Sequence, residues 1–297
     1  MDQTLKSLTI REFWQKFADD DACKAYIASI KWQDGFTCVN CGHDRYCNGY
    51  YTHDRQCTRC RRLHSPTSGT LFHKVKFGLQ NAFYIVYVMS TAKKGTTSTQ
   101  MSRDLGIKQP TCWRFMKKVR KAMSSSKQHP MKGEVEVDEM VVGGEETGTR
   151  GRKNLKKKLT VVGIEKKGKG VSRFYSKRIE GSNSKELGAF FTDHIDKQAN
   201  VRTDGWTGYL PLKKDYANME RDYSGKKGAN FNMMHRCIMM FKAWLRGVHH
   251  HVNDLQAYLD EYSYRYNRHL MGKDIFENLM KRMVSNEPYL IKNFVIY

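Results

Sequence analysis

Residues 134–144 read EVEVDEMVVGG, alternating apolar and polar as a half-buried strand does, and four acids fall within the six positions Glu134 to Glu139. Alternation puts Val135 and Val137 on one face and Glu134, Glu136 and Asp138 on the other. Glu139 lies on the valine face, where a structural role is expected. The chain around this knot of acids has 297 residues and a formal charge of +22. Facing carboxylates repel unless a cation lies between them, and hard oxygen ligands suit Mg²⁺ or Mn²⁺.

Working outward, LTVVGIEKK (159–167) and GVSRFYSKRIEG (170–181) read as two more strands joined by a KKGKG turn. NSKELGAFFTDHI (183–195) reads as a helix with Asn183 and Glu186 in cap spacing, and NVRTDG (200–205) as a short strand ending at Asp204. Antiparallel strands, a crossover helix and a fourth strand give a mixed α/β sheet covered by helices. Asp204, at a strand end, can then meet an acid of the neighbouring strand. Two ions held by shared carboxylates serve in-line displacement at phosphorus, which is nuclease and strand-transfer chemistry.

The charge balance, 52 Lys and Arg against 30 Asp and Glu, calls for a polyanion. Nucleic acid is favoured over anionic lipid because no amphipathic basic helix or lipidation motif is present, and no run of 18 apolar residues supports a membrane partner. Without an export signal at the given N-terminus, a cytoplasmic, nucleoid-associated protein is expected, and its eight cysteines do not suggest a disulfide framework. Four of them form CVNC and CTRC: Cys38, Cys41, Cys57 and Cys60, the spacing of a structural Zn²⁺ site on a ribbon. Cys47 and His43 are the competing ligands, while Cys23, Cys112 and Cys237 read as core thiols.

Residues 79–123 read as three helices with a glycine stop at Gly106, the pattern of a helix-turn-helix. Gln109, Thr111, Arg114, Lys117 and Lys118 are its expected DNA-reading side chains, with Trp113 packed inside. The basic run GRKNLKKK supplies Arg152, Lys153, Lys156, Lys157 and Lys158 as a second DNA contact beside the acid strand. The VHHHV segment, His249 to His251, is assigned to packing because successive side chains diverge.

The expected organisation is α+β and multidomain. It runs through a helical lead-in (1–35), a zinc ribbon (36–75), a helix-turn-helix (76–124), a linker (125–133), a mixed α/β core (134–270) and a C-terminal tail (271–297). In that order, the ribbon, the helix-turn-helix, VDEMVVGGEE, TDGWTGY, NFNMMHRCIMMFKAW and YLDEYSYRYNRH resemble a family of bacterial insertion-sequence transposases with an RNase H-like DDE core. The resemblance spans about residues 20–270. It implies an RNase H-like core and an enzyme that binds terminal inverted repeats, cuts at the element's ends and joins them to target DNA, with double-stranded DNA as partner and a homodimer or larger assembly on it. It also implies Asp138 and Asp204 as catalytic acids. The family's third acid stands three residues after an asparagine, and here Asn232 is followed instead by His235, the expected third ligand of Mg²⁺ or Mn²⁺. Lys242 lies seven residues on, on the same helical face, where the resemblance implies a phosphate-facing lysine. Glu261 is the rival third acid. A catalytically silent DNA-binding regulator derived from such an enzyme is the second reading.

Overall fold

The computed structural model describes residues 8–143, 157–222, 230–248 and 252–289. The chain divides into two compact units, Met1–Met123 with Leu270–Tyr297, and Ser124–His269.

The first unit is helical apart from its ribbon. Helix α1 (Ile10–Lys16) starts in a capping box in which Thr9 and Glu12 satisfy each other's amides, and α2 (Asp20–Lys31) starts on the Asp19 side chain. A small antiparallel sheet follows, β1 (Tyr46–Asn48), β2 (Arg55–Cys57) and β3 (Leu63–His64). Three helices come next: α3 (Leu79–Thr91), α4 (Ser98–Leu105) and α5 (Gln109–Met123), with Gly106 left-handed (φ 65°) at the α4 stop.

The segment 271–297, expected as a tail, contains a helix that completes this unit. In α9 (Asp274–Ser285) Ile275, Phe276, Leu279, Met280 and Met283 recur at helical spacing and are all buried, which the three-to-four-residue repeat in the sequence encodes. Phe276 meets the ring of Phe13 at 6.1 Å, and the Leu71 amide donates to the Met283 carbonyl. Fully burying such a side chain is worth roughly 2–3 kcal/mol, so α9 is part of the core.

The second unit is a five-stranded mixed sheet with helices on both faces. In chain order its strands are β4 (Glu134–Val142), β5 (Lys158–Lys167), β6 (Gly170–Ile179), β7 (Asn200–Thr203) and β8 (Met219–Arg221), and in space they run β6-β5-β4-β7-β8. β4, β5 and β6 pair antiparallel, whereas β7 and β8 lie parallel to β4. Three antiparallel strands and two parallel ones joined through a helix are the RNase H-like arrangement. The three-residue β8 is too short to show an alternating pattern in the sequence.

One face of the sheet packs Val135, Val137 and Val161 against Leu187, Phe190 and Phe191 of α6 (Ser184–His194). The other packs Met140, Val162 and Ile164 against α7 (Asn232–Val248) and α8 (Leu255–Tyr266). Residues 125–133, expected as a linker, lie on this unit. Met131 is fully buried, its amide donates to the His194 carbonyl at 2.7 Å, and Lys127 pairs with Asp193 at 2.9 Å. The polar character of the stretch hid a single apolar anchor.

β6 is an edge strand, and α8 blunts it. The outward backbone groups of alternate residues are taken by amide side chains. Asn267 accepts from the Phe174 N–H at 2.7 Å and donates to its carbonyl at 3.0 Å, while Gln256 accepts from the Arg178 N–H at 2.8 Å and donates to the Ser176 carbonyl at 3.4 Å.

Candidate metal centres and nucleic-acid interface

The last rung of the β4–β7 ladder is Val137↔Thr203, so the next residues of the two parallel strands, Asp138 and Asp204, stand side by side where β7 ends. Glu139 joins them: one carboxylate oxygen from each of the three lies within 4.8 Å of the other two. In an octahedral shell of about 2.1 Å radius, neighbouring ligands are about 3.0 Å apart and opposite ones about 4.2 Å, so the three carboxylates stand close to the spacing one hard cation requires.

Glu139, expected to be structural, also places a carboxylate oxygen in this grouping. Alternation does send it to the α6 side, but the ladder beside it stops at Thr203, so its longer side chain can curl round the strand end. There its Oε1 accepts from the Tyr209 hydroxyl at 3.0 Å. Tyr209 is fully buried, and desolvation with the neighbouring carboxylates holds its hydroxyl well above its usual pKa, as a neutral donor. The TDGWTGY stretch builds the support. Asp204 Oδ1 accepts from the Trp206 amide at 3.0 Å, and Trp206 Nε1 donates to the Ser182 carbonyl at 2.8 Å. A Cβ at Gly208 would fall 2.6 Å from both that carbonyl and the indole nitrogen, so no larger residue fits.

His235 sits on α7, its Nε2 3.8 Å from Asp138 Oδ2, at the rim of the carboxylate trio and outside its mutual 4.8 Å grouping. Lys242, two turns further, is half-buried beside Lys157 and Arg246; burial first, then those two cations, hold its ammonium below the usual lysine range. Glu261 is elsewhere: fully buried, 3.6 Å from Arg265 inside the helical core, it belongs to packing. Arg152, Lys153 and Lys156 lie outside the described residues, as do His249 to His251. Lys158, expected on DNA, donates instead to the carbonyls of Val252 and Asn253.

In the ribbon Cys38, Cys41, Cys57 and Cys60 each place Sγ within 4.8 Å of the other three. Gly42 (φ 71°) and Arg61 (φ 59°) turn back onto the carbonyls of Cys38 and Cys57, closing two matching knuckles. The backbone amide of Arg62 favours the thiolate form of Cys60. Four thiols in this arrangement fit Zn²⁺. The two competitors are spoken for: His43 Nε2 meets Thr58 Oγ1 at 3.1 Å, and Cys47 is exposed over Gln56. Cys23, Cys112 and Cys237 are buried, as expected.

Helices α4 and α5 flank Gly106 within the segment expected as a helix-turn-helix (76–124). Gln109 donates to Ser98 Oγ at 2.7 Å and so ties the two helix starts together. Lys118 turns inward, donating to the carbonyls of Leu71 and His73 at 3.2 and 3.1 Å, and burial lowers its pKa. It is therefore a half-buried tether. Arg114 is exposed, Thr111 and Lys117 are half-buried, and the Lys117 ammonium lies 5.6 Å from the ring centre of Trp113, which is itself half-buried rather than inside. Exposed Lys121, seven residues from Arg114, shares that face and was not among the expected readers, although the spacing alone could have found it.

The second unit is thus a sheet of RNase H-like order with clustered carboxylates at the end of the parallel pair β4–β7. Residues 130–267 match the family model described as the ISXO2-like transposase domain. No curated protein matches the chain. Among solved structures, the Mos1 strand transfer complex has 13% identity and a TM-score of 0.30, over 70% of this chain and 79% of that one. The Mos1 mariner paired-end complex with Mn has 13% identity and a TM-score of 0.29, over 69% of this chain and 79% of that one. No helix among the described residues is long and apolar enough to cross a membrane.

Proposed function

We propose that the chain is the DNA-cutting and strand-joining transposase of an insertion sequence, with Asp138, Glu139 and Asp204 as the divalent-ion site. The observation that carries this is the convergence of three carboxylates within 4.8 Å in a segment matching a transposase family. A Mg²⁺ or Mn²⁺ ion there supplies positive charge to the attacking and leaving oxygens of a phosphodiester. Asp138, Asp204 and Glu139, the last fixed by the Tyr209 hydroxyl, would hold the ion, and His235 beside Asp138 would be placed to orient a water or hydroxyl. Lys242, with Lys157 and Arg246, offers a cationic seat for the flanking backbone, which suits phosphate because three mutually repelling cations gain most from an anion. Arg114, Lys117 and Lys121 on α5 are the proposed duplex contacts, and the Zn²⁺ ribbon is proposed to hold the N-terminal unit's fold. Cutting two ends together calls for at least two copies of the chain on DNA.

The test is nicking of a duplex carrying the element's terminal repeats. The proposal expects Mg²⁺- or Mn²⁺-dependent cleavage at the repeat boundary, lost in Asp138→Asn and in Asp204→Asn with duplex binding retained. Cleavage that persists in both variants, or that needs no divalent ion, overturns it.

A further inference from the structure

The ribbon carries a second feature that zinc binding leaves unexplained. Of the eleven large hydrophobic side chains exposed among the described residues, five belong to it: Val39, Tyr46, Tyr50, Tyr51 and Leu63. Tyr50 is 86% exposed and Tyr51 65%. They stand at the tip of the β1–β2 hairpin and border a cleft of about 350 Å³ whose walls include Trp32, Tyr46, His53 and Arg55. Exposed aromatics gathered at one cleft mark a contact surface rather than scattered surface residues.

The tip is built to hold its shape. The Gly49 amide donates to the Asp54 carbonyl at 2.9 Å, and the Asp54 amide to the Tyr51 carbonyl at 3.0 Å. A Cβ at Gly49 would lie 2.6 Å from the Asp54 Cβ and 2.7 Å from Leu63 Cδ1, so the turn closes only over glycine. Inside the cleft the Arg55 guanidinium lies over two rings, 4.3 Å from the Trp32 ring centre and 4.1 Å from that of Tyr46. A planar cation over aromatic rings extends an aromatic platform and adds positive charge to it. Asp54 is folded into the wall at 6% exposure, and the Asp21 carboxylate is taken up by His53 Nε2 at 3.3 Å, so the rings of Tyr50 and Tyr51 and the Arg55 cation are what the cleft offers a ligand; Arg45, Arg59, Arg61 and Arg62 belong to the same small ribbon.

We propose that this cleft binds unpaired bases of single-stranded DNA, stacking them on Tyr50 and Tyr51 while the ribbon arginines follow the backbone. Rigid exposed rings beside clustered cations are the combination that recognises single strands without reading sequence. A base inside an intact duplex keeps both faces stacked and offers nothing to the tyrosines, so the ligand is a strand that has been opened or freed. The inference rests on the DNA-processing reading and adds to it a place for a displaced or frayed strand.

The experiment is fluorescence anisotropy of labelled oligothymidylate and, separately, of a duplex of equal length, using the full-length zinc-loaded protein, its Tyr50→Ala/Tyr51→Ala variant and its Tyr50→Phe/Tyr51→Phe variant. Zinc content of each protein reports that the ribbon is intact. Stacking is worth about 1–3 kcal/mol per base and the alanine variant removes both rings, so it should bind the single strand at least roughly 30-fold more weakly, with duplex affinity and zinc content unchanged and near wild-type binding in the phenylalanine variant. Equal single-strand affinity in wild type and the alanine variant overturns the proposal, as does an equal loss in the phenylalanine variant. Duplex binding without single-strand binding in the wild type also overturns it and leaves the transposase reading standing; absence of both removes that reading as well.

Discussion

Replacing Asn267 by alanine removes two hydrogen bonds at once, those to the Phe174 N–H and carbonyl at 2.7 and 3.0 Å. Phe174 is fully buried on the edge strand and its outward groups have α8 above them, so water has no easy way to replace the lost partner. A buried backbone group left unsatisfied costs about 1–3 kcal/mol, and two of them about 2–6 kcal/mol, less whatever the remaining Gln256 clamp allows the strand to recover. Asn267→Asp keeps an acceptor for the N–H and loses the donor to the carbonyl, so it should fall between wild type and alanine. Urea denaturation followed by circular dichroism gives the comparison, with the midpoint expected to fall and the slope to stay constant. An alanine variant within about 0.5 kcal/mol of wild type, the range of an ordinary surface substitution, would refute the reasoning that this side chain closes the sheet edge.

Other consequences follow from single contacts. His194 is buried against Tyr175, its ring centroid 4.5 Å away, and desolvation brings its pKa down to about 4. The unfolded chain therefore binds a proton that the folded one does not between about pH 6.5 and 4; stability is complete above that window and falls as pH drops through it, by up to about 1.4 kcal/mol per unit. His194→Gln should flatten the pH dependence of the melting temperature there. Lys118→Met should destabilise the first unit by about 1–3 kcal/mol by orphaning two carbonyls, leaving the salt dependence of duplex binding alone. Lys121→Ala should do the reverse, lowering the slope of log affinity against log salt by about 1. Chelating zinc should expose the small core of Trp32, Phe36, Cys38 and Cys57, read as a red shift in tryptophan emission; unchanged emission after complete zinc loss would count against a structural role for the ion.

The sequence made visible whatever depends on local periodicity and ligand spacing. The two C-x-x-C knuckles, the capping box at Thr9, the Asn183 cap, the Gly106 stop and the alternation of β4 could each be read from a few neighbouring residues. What escaped needed contacts distant in sequence. Alternation gave the face of Glu139 correctly but could not reveal that the neighbouring strand ends at Thr203 and lets the carboxylate cross. Lys118 has the residue type of a DNA reader, and only the fold brings the Leu71 and His73 carbonyls to it. The YLDE-x-x-x-R-x-N block stands out in the sequence as strongly as the acids do, yet its Glu261–Arg265 pair and Asn267 serve packing and strand closure. Motif strength reports constraint, and both catalysis and architecture impose it.

The central claim is that Asp138, Glu139 and Asp204 hold one divalent ion, and Mn²⁺ titration followed by electron paramagnetic resonance tests it most directly, because the signal of free hydrated Mn²⁺ is lost on binding. The account predicts saturable binding in the wild type, none within the titrated range for Asp138→Asn and Asp204→Asn, and weakened binding for Glu139→Gln, with all four proteins equally folded. Mn²⁺ affinity unchanged across the four would contradict it.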